Sequence, residues 1–346
     1  MRTLARQTER GFTLIELMIA MVLGLLVVGV IIMVFLTGNR NYAQDERFAR
    51  MQENGRYVIR LLSEELSNTE FWGGMTSGGG AGNGVWSTDA TPALLATDDC
   101  GVTYGVAQTT VVIGNATASD ASTAFGCIDA ATFRSGTDVI LLQKVFGAPA
   151  TPSGAGLPYP YDTGKVYLRT NTSNGTLIKT GAEPADITTA FAIPSQNWSY
   201  WEYVPQIYYI RDAGIPTLHR KLMAPDYSMQ DEALVEGIEA VHVLFGIDTD
   251  SDGVANQFVS NPTAAQMAFA ATARIYVLVR SDTKDHQHAD AKTYEFGDLC
   301  YNVGGTGGCN ALTDASAPAE PQKYHRRVFT NTIMLRNPVY RVQLSS

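Results

Sequence analysis

The amino-terminal segment carries a single carboxylate inside a long apolar run. Gly11 and Phe12 open the run GFTLIELMIAMVLGLLVVGVIIMVFL, in which the only charged residue is Glu16. No further Lys, Arg, Asp or Glu occurs until Arg40. A helix over this interval would cross the roughly 30 Å hydrocarbon core of a bilayer, because each helical residue adds about 1.5 Å. The run therefore predicts a membrane-spanning helix in contact with the lipid bilayer.

The position of Glu16 and the length of the run together indicate how the segment is processed. A charged side chain within a membrane helix costs about 2.5–3.5 kcal/mol on insertion scales, which marks Glu16 as functional. Ordinary secretory signals have a shorter apolar stretch, of about 7–15 residues, followed by small residues at a cleavage site. Here the run is longer and no such site follows it. We therefore expect processing before the run, at Gly11.

This segment resembles the class III prepilin signal of type IV pilins and of type II secretion pseudopilins, since a basic leader is followed by Gly11, Phe12 and Glu16. The resemblance implies that a prepilin peptidase cuts after Gly11 and methylates the new amino terminus at Phe12. The resemblance also implies that Glu16 would become the fifth residue of the mature chain and would neutralise the amino terminus of a neighbouring subunit during assembly. The alternative is a signal anchor in which these residues have no such roles.

The net charge and the absence of catalytic motifs limit the classes of function. Removing residues 1–11, which contain three arginines and one glutamate, would change the formal net charge from −9 to −11. Such an acidic body argues against a dedicated nucleic-acid surface, which usually needs a basic patch. The sequence shows no G-x-S-x-G motif, Cys/His dyad or paired-carboxylate pattern. It therefore favours a structural or binding protein over an enzyme.

The four cysteines indicate the compartment of the body. Cys100, Cys127, Cys300 and Cys309 form an even set, and a chain exported past a membrane helix usually pairs such a set as disulfides. Proximity along the chain favours Cys100–Cys127 and Cys300–Cys309. A zinc site is the rival interpretation, but no C-x-x-C spacing supports it. Disulfides imply a periplasmic body.

Helical periodicity continues beyond the apolar run. Apolar residues and one glycine recur at steps of three and four at Phe48, Met51, Gly55, Val58, Leu62 and Leu66. This stripe predicts an amphipathic continuation that ends near Asn68 and packs one face on a globular domain. The chain is therefore divided into a leader over 1–11, a transmembrane and amphipathic helix over 12–68, and a periplasmic β-rich globular head over 69–346.

The rest of the chain alternates between short β-like runs and Gly- or Pro-rich connections. The predicted strands are Asp138–Phe146, Val166–Thr170, Gln206–Arg211, Leu218–Leu222, Ile238–Ile247, Arg274–Arg280 and Arg327–Leu335. Apolar runs of this length closed by charges are typical of buried strands. The fold class is α+β: a pilin-like long amino-terminal helix packed on a mainly antiparallel β head with long loops.

Segments of the second half resemble the PilW family of minor pilins. They are LHRKL, LVEGIEAVHVLFGIDTDSDG, ARIYVLVRS and the closing RRVFTNTIMLRN. The resemblance implies a minor pilin in the inner membrane that crosses it once, with its head in the periplasm. It also implies that the chain primes or supports type IV pilus assembly, in the pilus or its tip complex. Its partners would be other minor pilins, the major pilin and the pilus assembly platform. The alternatives are a J-type minor pseudopilin of type II secretion and a pilus-tip adhesin or DNA-uptake module.

One loop of the head has the spacing of a calcium site. The candidate ligands are Asp248, Asp250, Asp252, Val254 through its carbonyl, and Asn256. Alternating oxygen ligands converge on hard cations, and Gly253 permits the sharp turn. The EF-hand pattern also needs a glutamate at its twelfth position, where this chain has Val259. The alternative is an aspartate-rich turn without a metal.

Overall fold

The computed structural model describes residues 11–73, 85–88, 100, 111–154, 156–170, 174–178, 182–184, 187, 198–224, 228–250, 252–303 and 320–336. The predicted leader therefore lies outside the described residues except for Gly11. The chain divides into two compact units, residues 1–50 and residues 51–346. The boundary falls inside helix α1, Leu14–Ser67.

In the first unit, α1 presents apolar side chains on all of its faces. The large hydrophobic residues between Phe12 and Leu36 are each at least 51% exposed. Among the described residues, α1 is the one helix long and apolar enough to cross a membrane, judged by length and composition. Water solvates such a surface poorly, so these side chains require an apolar environment supplied from outside the chain.

In the second unit, α1 is amphipathic and one stripe of it is buried. The buried residues are Met51, Gly55, Val58, Leu62 and Leu66, which confirms the predicted stripe except at Phe48, which is 37% exposed. A hydrogen bond and an ion pair from residues beside that stripe also hold the helix against the strands of the head. The Asn54 amide donates to the carbonyl of Glu236 over 2.9 Å, and Lys144 Nζ lies 2.5 Å from Glu65 Oε2.

The head contains strands in two main sheets and a hairpin. The strands are β1 Val85–Thr88, β2 Val111–Ala116, β3 Thr137–Pro149, β4 Tyr167–Thr170, β5 Asn174–Ile178, β6 Ser199–Asp212, β7 Pro216–Met223, β8 Met229–Glu236, β9 Ile238–Ile247, β10 Gln257–Val259, β11 Ala270–Arg280, β12 Thr293–Phe296, β13 Leu299–Asn302 and β14 Arg326–Met334. Short helices α2, Ala118–Ala124, and α3, Ala264–Met267, and a 3-10 turn at Pro321–Lys323 complete the described elements.

The two sheets are almost entirely antiparallel. Within the described residues the larger sheet runs β1-β5-β4-β6-β3-β2, with β7 paired to β6 and β8 paired to β7. Among the strand pairs that the structure describes in this sheet, only β1 with β5 is parallel. The second sheet runs β10-β9-β11-β14, and β12 with β13 forms a separate hairpin. The predicted α+β architecture, a long amino-terminal helix followed by a mostly antiparallel β head, is confirmed.

Strand β9 lies at the centre of the head, and every one of its residues is buried. Val243 and Phe245 join a core that also contains the α1 stripe and residues of the larger sheet such as Ile140. Ala240 packs into a second cluster with Phe296 and other residues of the β12–β13 hairpin. Because both faces of β9 are covered, its sequence is almost continuously apolar.

Five of the predicted strands lie within β3, β6, β7, β9 and β11. The predicted strand Arg327–Leu335 is shifted by one residue from β14, and the predicted strand Val166–Thr170 begins one residue before β4. Seven of the described strands were not predicted, namely β1, β2, β5, β10, β12, β13 and the longest of them, β8. Its sequence, MQDEALVE, contains a run of residues that are depleted in strands, and residues 230–233 are exposed. It pairs only with β7 among the described strands, so little of it needs to be apolar.

Candidate functional site

The residues around the predicted cleavage point are held by a capping box at the start of α1. The backbone N–H and the hydroxyl of Thr13 both donate to Glu16 Oε2 over 2.9 Å. In return, the Glu16 N–H donates to the Thr13 hydroxyl over 3.4 Å. This reciprocal pair satisfies helix-terminal donors and places the carboxylate near the positive end of the helix dipole. The Glu16 side chain is thus directed back toward the start of the helix.

Thr13 is a member of this site that the sequence reasoning did not single out. A Ser or Thr followed three residues later by Glu, just before an apolar run, is the sequence signature of a capping box. Phe12, immediately before the box, is 90% exposed. Phe12 therefore lies directly before the Thr13–Glu16 capping box at the start of α1.

The aspartate loop connects β9 to β10. Asp248 is buried, whereas Asp250 and Asp252 are exposed, and one carboxylate oxygen from each lies within 4.8 Å of the others. The Asp248 carboxylate accepts the N–H of Gly253 over 2.8 Å. Asp252 accepts the N–H of Val254 over 2.7 Å. The structure thus gathers the three predicted aspartate ligands into one cluster.

Asn256 takes part in the loop through its side chain. Its amide oxygen accepts from the backbone and the hydroxyl of Thr249, over 2.7 and 3.1 Å. Its amide nitrogen donates to Asp250 Oδ2 over 3.3 Å. These bonds are typical of an aspartate-rich turn. The three neighbouring carboxylates repel one another, a cost that a bound cation would remove.

The cysteines follow the predicted pairing where the structure describes it. Cys100 and Cys127 form a disulfide with their Cα atoms 4.7 Å apart. Cys300 is also disulfide-bonded. Cys309, its predicted partner, lies outside the described residues. Disulfides persist in oxidising compartments, which is consistent with an exported head.

A fully buried carboxylate, Glu239 on β9, forms the centre of an ion-pair network that the sequence did not reveal. Arg326 donates to it through two nitrogens over 2.5 and 3.1 Å, and Arg134 donates over 3.3 Å. Arg280 lies 3.7 Å away. Burial raises the pKa of Glu239, but the three guanidinium groups outweigh it and the pKa is lowered overall.

The arginines of this network have further carboxylate partners. Arg134 pairs with Asp212, at the end of β6, and Arg326 lies 3.5 Å from Asp290. The three arginines are therefore balanced by three carboxylates. Because these residues come from both sheets and from the loops beside them, the network ties the two sheets together.

His242, also on β9, makes a second buried polar link. Its Nδ1 lies 3.0 Å from Asp138 on β3, and its Nε2 lies 2.7 Å from Asp298 in the hairpin turn. Burial disfavours the imidazolium. However, the charge and hydrogen bond of Asp138, together with those of Asp298, raise the pKa of His242 overall. The imidazole thus connects both sheets and the hairpin.

Comparison with protein families defines the class of protein that carries these features. The prokaryotic N-terminal methylation motif matches residues 6–32, a range that includes Gly11, Phe12 and Glu16. The match supports a prepilin-like protein, and the exposed apolar helix fits a membrane anchor.

The second match relates the chain to a particular assembly system. The family described as Type IV Pilus-assembly protein W matches residues 207–337. The two matches together support a type IV pilus-related protein, as the sequence resemblance predicted. The matched head region contains the aspartate loop, Glu239 and His242. No curated protein and no solved structure matches the chain.

Proposed function

We propose that this chain is a minor pilin that primes or supports type IV pilus assembly from the inner membrane, with its head in the periplasm. In this proposal, prepilin peptidase cuts after Gly11 and methylates Phe12. The chain then joins other minor pilins and the major pilin through the pilus assembly platform. The capping box that directs the Glu16 carboxylate toward the start of the helix, inside the matched methylation motif, is the observation that carries the proposal.

The proposed assembly step follows from the cost of isolated charges in an apolar setting. After cleavage, Phe12 would carry an amine four residues before Glu16, the residue that closes the capping box. An amine and a carboxylate each need a partner in an apolar medium. When subunits stack, the Glu16 carboxylate of one subunit would pair with the amine of its neighbour and so select the correct register. The apolar coat of α1 would then pack against other subunits.

Two substitutions separate the charge of Glu16 from its capping role. Glu16→Gln removes the charge but keeps a side chain that serves in a capping box. Thr13→Val removes the hydroxyl and keeps the carboxylate. We expect leader removal in both variants, incorporation of Thr13→Val into sheared pili, and loss of Glu16→Gln from pili and from co-purified minor pilins. Incorporation of Glu16→Gln at the wild-type level would contradict the proposal.

The choice of assembly system is tested by deletion of the chain. We expect surface pili, counted by electron microscopy, to fall sharply while exoprotein secretion continues. A deletion strain with normal pili and defective secretion would instead identify a J-type minor pseudopilin. Re-expression of the intact chain should restore the pili.

We also propose that the aspartate loop binds calcium. The clustering of Asp248, Asp250 and Asp252 at alternate positions supports the proposal. Without a glutamate at the twelfth position, we expect an affinity in the range of about 10⁻⁴–10⁻³ M typical of extracellular modules. Calorimetric titration of calcium into the full chain in detergent measures this affinity.

Matched variants assign any calcium signal to the loop. Asp250→Asn should abolish binding, whereas Glu295→Gln, which changes an exposed carboxylate on β12, should leave it unchanged. An absence of binding at millimolar calcium, or equal binding by the two variants, would show that the loop is a metal-free turn.

A further inference from the structure

A cleft of about 1210 Å³ lies beside the larger sheet, apart from the aspartate loop and the buried ion pairs. Its walls come from the end of α1, from β3 and β6, and from the loop around residues 159–165. Clefts for small ligands are typically about 300–1,000 Å³. This cleft therefore has room for a ligand of several linked units.

Two aromatic rings line this cleft and are open to solvent. Phe146 is 41% exposed and Tyr159 is 52% exposed, and their ring centroids are 5.1 Å apart. Tyr161 and Tyr167, which also line the cleft, are buried and stacked at 4.3 Å. The planes of the Phe146 and Tyr159 rings are inclined by 59°, so each ring provides a separate apolar surface that one flat ligand face would cover.

Tyr159 adopts a backbone conformation that is disfavoured for any residue with a Cβ. Its φ is +61°, in the left-handed region. Thr151 holds this conformation. Its N–H donates to the Tyr159 carbonyl over 2.9 Å, its hydroxyl donates to the Pro158 carbonyl over 2.8 Å, and its carbonyl accepts the N–H of Tyr161 over 2.8 Å. Backbone strain fixed in this way is concentrated at functional sites and ligand clamps.

The polar groups of the cleft indicate the charge of its ligand. Lys165 Nζ lies 2.8 Å from Glu202 Oε2, and both side chains remain about one-third exposed or more. Lys144 pairs with Glu65, and both residues also line the cleft. With Asp162, the lining contains three carboxylates and two lysines. This slight excess of negative charge disfavours the binding of polyanions such as nucleic acid. Because both lysines are paired with carboxylates, the cleft offers hydrogen-bond donors and acceptors but no strong net charge.

We propose that this cleft binds a neutral oligosaccharide. Sugar rings present an apolar face edged by hydroxyl groups, which matches an aromatic platform beside paired donors and acceptors. The apolar faces would lie on Phe146 and Tyr159, and the hydroxyls would bond to Lys165 and Glu202. The proposal is independent of the role in pilus assembly, since none of these residues lies in the amino-terminal segment.

The test uses the full-length chain in a detergent without a sugar head group. Calorimetric titration with neutral hexasaccharides of glucose, mannose and N-acetylglucosamine should reveal a ligand with a Kd below about 1 mM, at the weak end of specific affinities. Tyr159→Ala and Phe146→Ala should each raise that Kd roughly tenfold, the loss of one stacked ring contact. Tyr57→Ala, which removes a similarly exposed ring from α1, should leave it unchanged.

Two further variants separate the ring of Tyr159 from its strained backbone. Tyr159→Phe keeps the ring and should retain binding. Tyr159→Gly tolerates the left-handed conformation, so it should fold at least as stably as wild type and yet lose binding. Absence of saccharide binding, binding that survives both ring deletions, or equal binding of heparin or single-stranded DNA at the same residues would each overturn the proposal.

Discussion

Residues 12–36 and the interior of the head distribute polarity in opposite ways. The amino-terminal residues expose nearly all of their large apolar side chains, whereas the head buries ionisable groups such as Glu239, Arg326 and His242. An exposed apolar surface requires an apolar medium supplied from outside, such as lipid or other subunits. Buried charges require partners, and here the same chain supplies them. Residues 12–36 therefore depend on lipid or other subunits for their contacts, whereas the buried groups of the head find their partners within the same fold.

The two regions also use glycine differently. A Cβ at Gly55 would lie 2.4 Å from the ring of Phe329, so the helix and β14 approach closely there. A Cβ at Gly24, Gly29 or Gly38 would meet no described atom within 4 Å. Glycine is thus a packing requirement in the head, while the same helix tolerates a side chain at its earlier glycines.

The largest effect should follow from breaking the buried network at its centre. Glu239→Gln keeps the shape of the side chain but leaves Arg134, Arg280 and Arg326 without their shared carboxylate. We expect a loss of about 3–5 kcal/mol in the free energy of unfolding, as for other buried pairs that lose one partner. Urea unfolding of the full chain in detergent measures it.

A control and a compensating variant sharpen this prediction. Glu295→Gln, at an exposed position, should leave the urea midpoint unchanged. Replacing Glu239 and Arg326 together by methionine should cost less than Glu239→Gln alone, because it removes charges of both signs. A loss below about 1 kcal/mol for Glu239→Gln would show that the buried charges do not depend on one another.

A smaller effect should follow from adding one methyl group to α1. Gly55→Ala forces the Phe329 ring to move, and we expect it to destabilise the head by about 1–3 kcal/mol. Gly38→Ala adds the same methyl group in open space and should cost nothing, because alanine favours a helix over glycine. Thermal unfolding of both variants by circular dichroism provides the comparison.

The cause of the Gly55→Ala effect can be checked at its partner. In the Gly55→Ala background, Phe329→Leu should recover part of the lost stability, since the smaller side chain relieves the contact. If Gly55→Ala and Gly38→Ala proved equally harmless, α1 would not pack closely on β14.

The smallest effect is a pH dependence that resides in His242. Its pKa in the folded protein is raised, so its contribution to stability is complete below the ordinary histidine pKa of about 6.5 and is lost as pH rises through the higher folded value. We therefore expect the wild-type Tm to fall on the alkaline side of that pKa, with a flatter profile for His242→Gln. Scanning calorimetry between roughly pH 5.5 and 9 tests this.

His288 should contribute the opposite slope in both proteins. Burial and the nearby charge of His325 lower the pKa of His288, so its effect appears as pH falls through the ordinary value. Subtracting the His242→Gln profile from that of wild type isolates His242. An identical slope in the two profiles would contradict the role assigned to the link among Asp138, His242 and Asp298.

Much of the fold could be predicted because its signals are local. The 3–4 spacing of α1 identified the buried stripe, and apolar runs identified strands such as β9 and β11. The proximity of Cys100 and Cys127 along the chain predicted their disulfide. Thr13 was also within reach, since its spacing from Glu16 is a known capping signal. Strand β8 was not, because its polar sequence carries no apolar pattern.

The longer elements and the amino-terminal signal could mostly be predicted from the sequence, because helix periodicity, strand alternation and the Gly11–Glu16 spacing involve neighbours along the chain. Contacts between distant residues became visible only in the folded head. Glu239 contacts Arg134 and Arg326 across 105 and 87 residues, and the cleft joins α1 to β3 and β6. These meetings depend on strand order and register, which follow from the packing of the whole head rather than from any local pattern.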